Sequence, residues 1–221
     1  MTHTLHRMGS EESLQDDYIV MLMSSKNTNR TGSGPKFQNF LKMALDYGAL
    51  KIGNAGLGNE YHQGGVDKVL ENVCDRSIIV HAIFKDANTV TKFLRAVKEA
   101  NFGLSVIVSG LFAEGRKCCQ QVGLEMHTVN MSLGRWGRTE KLPSPEILEI
   151  NTMCGHGMVT LSLIKNVIDG VRKRRCTPEE GAEWLSRPCQ CGVFNPHRAA
   201  RLLRSATNLE EAKNDVYKAN Y

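Results

Sequence analysis

The chain has 221 residues, of which 41% are hydrophobic, and carries a formal net charge of +5 at pH 7. This length suits one compact domain that needs no disulfide staples, and so mild a charge does not by itself imply nucleic acid as a partner. No apolar run is long enough to span a membrane, and residues 1–17 lack the apolar core of a signal peptide. We therefore expect a cytoplasmic protein in which the seven cysteines are reduced.

Strand-like and helix-like segments alternate through the first two thirds of the sequence. Short apolar or alternating runs predict strands. The helix predicted between the strands at residues 76–84 and 104–112 begins after Asp86, as a cap, and stops at Gly103. Strand, helix and strand in this order predict a βαβ unit with a right-handed crossover. The predicted strands cover residues 17–25, 76–84, 104–112 and 126–133.

The last third of the chain reads as helical. Three predicted helices begin with a capping residue followed by proline, at Ser144–Pro145, Thr177–Pro178 and Asn195–Pro196. The sequence therefore predicts an α/β fold of βαβ units, ferredoxin-like or a small layered sandwich, with a helical C-terminal third. We divide the chain into a flexible polar leader, an α/β core and a helical segment packed on the same domain, which cover residues 1–17, 18–143 and 144–221.

Three cysteines in the helical third have the setting of metal ligands. Cys154 precedes a predicted helix in a glycine-rich turn, and Cys189 and Cys191 form a Cys-x-Cys pair just before another. Exposed amides at a helix start stabilise negative charge and so favour thiolates. If the three meet in the fold they predict a metal site, with His156 as a fourth ligand or a nearby acid or base. We interpret the other four cysteines as structural.

The occupant of this predicted site stays open at the level of sequence. Three thiolates with one open iron suit an iron–sulfur cluster, which we favour, whereas three thiolates and one imidazole suit tetrahedral zinc. In the first case the protein is an enzyme of lyase type, which catalyses elimination, hydration or sulfur removal without redox chemistry. In the second case the protein is a structural zinc-binding regulatory or binding module.

Residues Met153–Gly157, Met-Cys-Gly-His-Gly, resemble the catalytic cysteine motif of the proline racemase family. The resemblance covers five residues, and no second motif of the Asp-x-x-x-Cys-Gly kind accompanies it, so we do not assign the chain to that family. It implies a third alternative, a cofactor-free cysteine-dependent isomerase in which Cys154 is a base or nucleophile tuned by His156.

Polar residues at the end of the predicted strand 126–133, and in the loop after it, are candidates for substrate contact. Arg135 and Arg138 flank Trp136 and suit a carboxylate or phosphate, while His127 can carry protons and Asn130 can bind substrate. We therefore expect a small anionic substrate, no membrane partner and no nucleic acid. A homo-oligomer stays open.

Overall fold

A computed structural model of the protein describes residues 4–218, with side chains described as far as residue 207. The described chain is a mixed α/β structure built on one five-stranded antiparallel sheet with the strand order β3-β2-β4-β1-β5. The strands are β1 (Tyr18–Met23), β2 (Lys51–Asn54), β3 (Gly58–Asn59), β4 (Ile79–Phe84) and β5 (Ser105–Ser109). This confirms the predicted α/β class with a helical C-terminal third.

The described helices connect the strands and then make up most of the C-terminal third. A short 3-10 helix over Thr139–Lys141 precedes the last four of them. The helices are α1 (Glu11–Leu14), α2 (Ser33–Asp46), α3 (Glu60–Gln63), α4 (Val66–Asn72), α5 (Ala87–Ala100), α6 (Phe112–Gln121), α7 (Pro145–Asn151), α8 (Leu161–Arg172), α9 (Pro178–Ser186) and α10 (Pro196–Lys218).

The predicted βαβ unit is present as β4–α5–β5, but another strand separates its two strands. β1 pairs antiparallel with β4 through Val20 and Ala82, and with β5 through Met21 and Ile107. β4 and β5 therefore run parallel to each other without sharing hydrogen bonds. The helix that joins them crosses over β1, as in a split βαβ arrangement.

The two faces of the sheet carry separate hydrophobic cores. On the first, which we call the aromatic face, alternate strand residues such as Val20 and Ala82 pack against α2, α4, α5 and α6. The Phe93 ring lies 5.1 Å from that of Phe40 and 5.0 Å from that of Phe84, centroid to centroid. On the second, which we call the thiol face, Ile19, Met21 and Ile83 pack against residues of α7 to α10. The sheet is thus the middle of three layers.

Local capping chemistry sets most helix boundaries as predicted. The Asp86 side chain accepts a hydrogen bond from the Thr89 backbone, and Thr177 forms a complete capping box with Glu180. One predicted boundary is wrong: α5 ends at Ala100 with Asn101 in the left-handed conformation, before Gly103 is reached. Asparagine tolerates that conformation better than most residues, so it can replace glycine as the helix stop.

The predicted strand at residues 126–133 is wrong. These residues lie in an irregular connection between α6 and α7, and all of them are exposed. Their apolar and polar side chains do alternate, but alternation makes a strand only where a neighbouring strand accepts its backbone hydrogen bonds. In the described chain β1 lies beside β5, and no strand lies beyond β5.

The predicted domain boundaries at residues 17 and 143 stay predictions, and residues 1–3 and 219–221 lie outside the described chain. Residues near the N-terminus contact the last helix: Asp17 bonds to Arg198, and Asp16 bonds to Arg201. Among the described helices none has both the length and the apolar character needed to cross a membrane.

Candidate cysteine site

The three cysteines singled out in the sequence come together under the thiol face of the sheet. Cys154, Cys189 and Cys191 are all buried, with exposed fractions of 2%, 0% and 3%, and belong to the same core cluster. The Sγ atoms of Cys189 and Cys191 lie 3.9 Å apart, and the Cys189 thiol also hydrogen-bonds to Cys154. Cys189 is thus the middle member of a chain of three sulfurs.

Cys154 lies in the tight turn between α7 and α8. The turn is closed by a hydrogen bond of 3.0 Å from the Gly157 backbone N–H to the Cys154 carbonyl, with Gly157 at a positive φ of 70°. Backbone N–H groups of His156, Met158 and Val159 then point at the sulfur of Cys154. The helix itself begins only at Leu161, so the amides of the turn, and not a helix terminus, surround this sulfur.

Cys189 and Cys191 lie in the turn between α9 and α10. The Gly192 N–H donates to the Cys189 carbonyl at 2.9 Å, with Gly192 at a positive φ of 79°. The side-chain amide of Asn59 donates to the backbone carbonyls of Cys189 and Arg187 at 2.8 and 3.1 Å. The turn is therefore fixed to the edge of the sheet, because Asn59 is the last residue of β3.

His81 in β4 hydrogen-bonds to the same turn from the sheet. Its Nε2 atom donates to the Cys191 carbonyl at 2.5 Å, and its side chain is buried. Gly53, its cross-strand partner, makes room for the imidazole: a Cβ atom at Gly53 would lie 2.6 Å from His81 Nε2. The His81 side chain therefore lies against the turn that contains Cys189 and Cys191.

The hydrogen bonds between the thiols give Cys154 and Cys189 different acidities. Donation from the Cys189 thiol, together with the backbone N–H groups around it, lowers the pKa of Cys154 to about 6, although burial opposes this. The same hydrogen bond, the one to Cys191 and then burial raise the pKa of Cys189 above its ordinary value. Near neutral pH Cys154 is the anionic member and Cys189 is a proton donor.

Arg7 joins the two cysteine turns through their backbones. Its Nη2 atom donates to the Met153 carbonyl at 3.4 Å and also to the Val193 carbonyl. Its Nη1 atom pairs with the buried carboxylate of Asp17. One guanidinium group thus contacts the residue before Cys154 and the second residue after Cys191. No sequence pattern indicates this role, because an arginine in a polar N-terminal segment is expected to be solvent-exposed.

A second buried arginine extends this ionic network to the last helix. Arg198, in the first turn of α10, is fully buried and bonds to Asp17 Oδ2 at 3.0 Å and to the Met8 carbonyl at 2.5 Å. It also lies 3.4 Å from Glu149 Oε2 in α7. Burial raises the pKa of Asp17, but the charges of Arg7 and Arg198 outweigh it, so the net pKa lies below the ordinary value.

The other predicted site residues lie at the surface. His156 is exposed beside Cys154, and its backbone N–H contacts the sulfur of Cys154. His127, Asn130, Arg135 and Arg138 lie in the exposed connection between α6 and α7, where His127 Nδ1 hydrogen-bonds to its neighbour Thr128 at 2.8 Å. The hydrogen bonds of the described chain include none between these four residues and the cysteine turns.

The remaining cysteines occupy other places. Cys118 is buried on the aromatic face and donates to the Ala87 carbonyl, and Cys119 packs against that same core. Cys176 is buried beside Gly170 in α8, and Cys74 is half-buried in the cleft beside α2. Over the part of the chain that the structure describes, no group of three or more His, Cys, Asp or Glu side chains is placed so that it could hold a metal ion as it stands.

Comparisons with known proteins add no identification: no protein family, no curated protein and no solved structure matches this chain. The class that the fold and the site define is therefore an α/β protein with a buried three-cysteine cluster between its sheet and its C-terminal helices.

Proposed function

We propose that Cys154, Cys189 and Cys191 bind a soft metal ion, with zinc as the occupant that the geometry favours. The observation that carries the proposal is the meeting of three sulfurs from two separate turns in one buried place. Soft thiolate ligands select zinc, copper(I) and iron–sulfur clusters. Metal ligands must lose their protons, so an ion would replace the protons that now join these sulfurs, and the turns would close around it.

The spacing of the sulfurs supports a single ion over a cluster. Two thiolates bound to one tetrahedral zinc, each at about 2.3 Å, stand about 3.8 Å apart. The Cys189 and Cys191 sulfurs are 3.9 Å apart. In a four-iron cluster with one open iron, the kind that three thiolates suit, each thiolate binds a different iron, which requires a wider spacing. The iron–sulfur centre favoured by the sequence would therefore need the two sulfurs to separate.

Burial supports a structural role for this centre. Structural zinc sites are closed, whereas catalytic sites keep one position open to water or substrate. Each of the three thiols is at most 3% exposed. His156, two residues from Cys154 and on the solvent side, is the candidate for the fourth ligand. We infer that the centre joins the α7–α8 turn to the α9–α10 turn in a binding or regulatory module. A lyase-type reaction on a small anionic substrate stays a prediction.

Metal analysis of protein purified without oxygen tests this proposal. We expect about one zinc per chain in the wild type, loss of zinc in Cys189→Ser, and retention in the matched control Cys118→Ser, because Cys118 is a buried thiol on the other face of the sheet. If the analysis found iron and acid-labile sulfide instead of zinc, the same ligands would hold an iron–sulfur cluster. A metal-free wild type, or zinc retained in the triple serine variant at 154, 189 and 191, would reject the ligand set.

A metal-free thiol function is the second candidate, and the surroundings of Cys154 favour it. Three backbone N–H groups and the Cys189 thiol converge on this sulfur, which is how proteins stabilise a reactive thiolate. We infer a cysteine nucleophile or base in that case. Native alkylation followed by peptide mass spectrometry should then label Cys154 well before Cys118. Equal labelling rates for the two thiols in metal-free protein would exclude this candidate.

A further inference from the structure

The buried sulfurs of the cysteine site are close enough to one another to form a disulfide. Cys189 contacts both of the others: its Sγ atom lies 3.9 Å from that of Cys191, and its thiol hydrogen-bonds to Cys154. A disulfide requires two sulfurs about 2.0 Å apart. Because Cys189 is the middle member of the three, it is one half of any disulfide between sulfurs that are already in contact.

The backbone favours Cys154 over Cys191 as the other half. Only one residue separates Cys189 from Cys191, so a disulfide between them would close a small ring. The turn that contains both is held in shape by Gly192, which donates to the Cys189 carbonyl at 2.9 Å, and by His81, which donates to the Cys191 carbonyl at 2.5 Å. A disulfide tolerates little distortion, and a strained one is easily reduced. Cys154 comes from a different turn, so its bond to Cys189 closes no such ring.

An exposed stretch of the α7–α8 turn lies over the Cys154 sulfur. Cys154 itself is 2% exposed, but residues 155–158, which follow it in the turn, are all exposed. Backbone N–H groups of His156 and Met158, within this stretch, point at the sulfur. Two of the four residues are glycines, and glycine restricts the backbone least. A movement of this short stretch is therefore enough to admit a small oxidant to Cys154.

We propose that Cys154 and Cys189 are an oxidation site, at which hydrogen peroxide forms a disulfide between the two turns. The Cys154 sulfur attacks the O–O bond of the peroxide and becomes a sulfenic acid, and the first water molecule is released. The Cys189 sulfur then attacks the oxidised sulfur, the S–S bond forms, and the hydroxyl group leaves as the second water molecule. The two sulfurs lose two electrons, the peroxide gains them, and the thiol protons end in the water molecules.

The disulfide and a metal ion compete for the same two sulfurs. Metal binding needs thiolates, so a disulfide between Cys154 and Cys189 leaves Cys191 as the one cysteine ligand of the set, and zinc is released. Either link connects the α7–α8 turn to the α9–α10 turn, so the two turns stay joined in both forms. The release of zinc rests on the proposed function, whereas the disulfide requires only that the two sulfurs are in contact.

Mass spectrometry of the reduced full chain, treated with hydrogen peroxide after removal of the reductant, tests the disulfide. The wild-type mass should fall by two hydrogen atoms, and digestion without reduction should give the Cys154 peptide joined to the Cys189 peptide. Cys191→Ser should form the same crosslink. Cys154→Ser should show no such loss of mass, because the two thiols it retains are those of the strained ring. Cys118→Ser, the matched control, removes a buried thiol on the aromatic face and should behave as the wild type does.

A colorimetric zinc indicator, applied to the same samples, separates the disulfide from the proposed function. Zinc should be released in step with the crosslink and should bind again after reduction. A wild type that forms no crosslink, or one that joins Cys189 to Cys191 and leaves Cys154 free, would overturn the oxidation site whether or not metal is present. Zinc that stays on the crosslinked protein, or a wild type that crosslinks but never held zinc, would reject the proposed function and leave the oxidation site standing.

Discussion

On the aromatic face of the sheet the contacts are almost all apolar, whereas the thiol face combines apolar packing with buried charges and thiols. Phe40, Phe84 and Phe93 pack edge to face or tilted in the first core. The second core contains four cysteines, three of them in the candidate site, and borders the fully buried Arg198 and Asp17. The same sheet therefore supports two kinds of core, one on each side.

The two cores therefore have different roles: one stabilises the fold, and the other also fixes the positions of particular atoms. Apolar packing is non-directional, so the aromatic face can stabilise the fold without fixing any polar atom. Buried charges and hydrogen bonds are costly unless each group has a partner in the right place, so they hold backbone turns in one arrangement. On the thiol face, the carbonyls that Arg7, Asn59 and His81 contact belong to the two cysteine turns or to the residues beside them. The polar groups there fix the positions of the sulfurs.

The largest effect should follow from removal of the carboxylate at the centre of the ionic network. Asp17→Ala would leave the buried guanidinium group of Arg7 without its charge partner and that of Arg198 with only the longer pair to Glu149. We expect the free energy of unfolding to fall by about 3–5 kcal/mol, as measured by urea denaturation. Glu71→Ala, which removes an exposed pair with Lys68, is the control and should change little. An Asp17→Ala protein as stable as this control would contradict the network's role.

Acid titration of the wild type and of Asp17→Ala checks whether the charge of Asp17 stabilises the folded state. The pKa of Asp17 in the folded state lies below its ordinary value of 3.8. The stability that this group contributes is therefore fully present above pH 3.8 and is lost as the pH falls through the folded-state pKa. The wild type should lose stability in that range, and Asp17→Ala should lose less, because it no longer has the group that titrates.

The sequence predicts the local parts of this architecture well, because they depend on neighbouring residues. The caps at Asp86, Thr177 and Asn195 involve contacts three residues apart, and the structure forms them. The apolar run at residues 17–25 becomes β1 for the same reason. The alternation at 126–133 misleads because a strand also needs a partner, and local pattern cannot show whether one exists.

The parts that position the candidate site depend on contacts between distant residues. The sequence can propose that Cys154 meets Cys189, but only the order of the strands and the packing of α7 to α10 decide it. The side chains that hydrogen-bond to the two cysteine turns are even more distant in sequence. Arg7 is 146 residues from Met153, and Asn59 is 130 residues from Cys189. Sequence alone does not distinguish a polar residue near the N-terminus that is exposed to water from one that pairs with a buried carboxylate.

An intermediate effect on stability, with a direct effect on the thiols, should follow from Gly53→Ala. The added methyl would lie 2.6 Å from His81 Nε2, and this atom hydrogen-bonds to the Cys191 carbonyl, so a displaced imidazole changes that contact. We expect a loss of about 1–3 kcal/mol in unfolding free energy. We also expect faster native alkylation of Cys189 and Cys191, measured by peptide mass spectrometry. Unchanged alkylation would mean that His81 does not position the turn.

The smallest effect should come from Ile52→Val, one residue earlier in the same strand. Successive side chains of a strand point to opposite faces, so Ile52 packs in the aromatic core while Gly53 faces His81. Loss of one methylene should cost about 0.5–1.5 kcal/mol. Native alkylation of Cys189 and Cys191 should stay at the wild-type rate, because the apolar core can relax without moving any polar contact of the turn. If Ile52→Val exposed these thiols as Gly53→Ala does, the cysteine turns would depend on the whole sheet, and the two faces would not be independent.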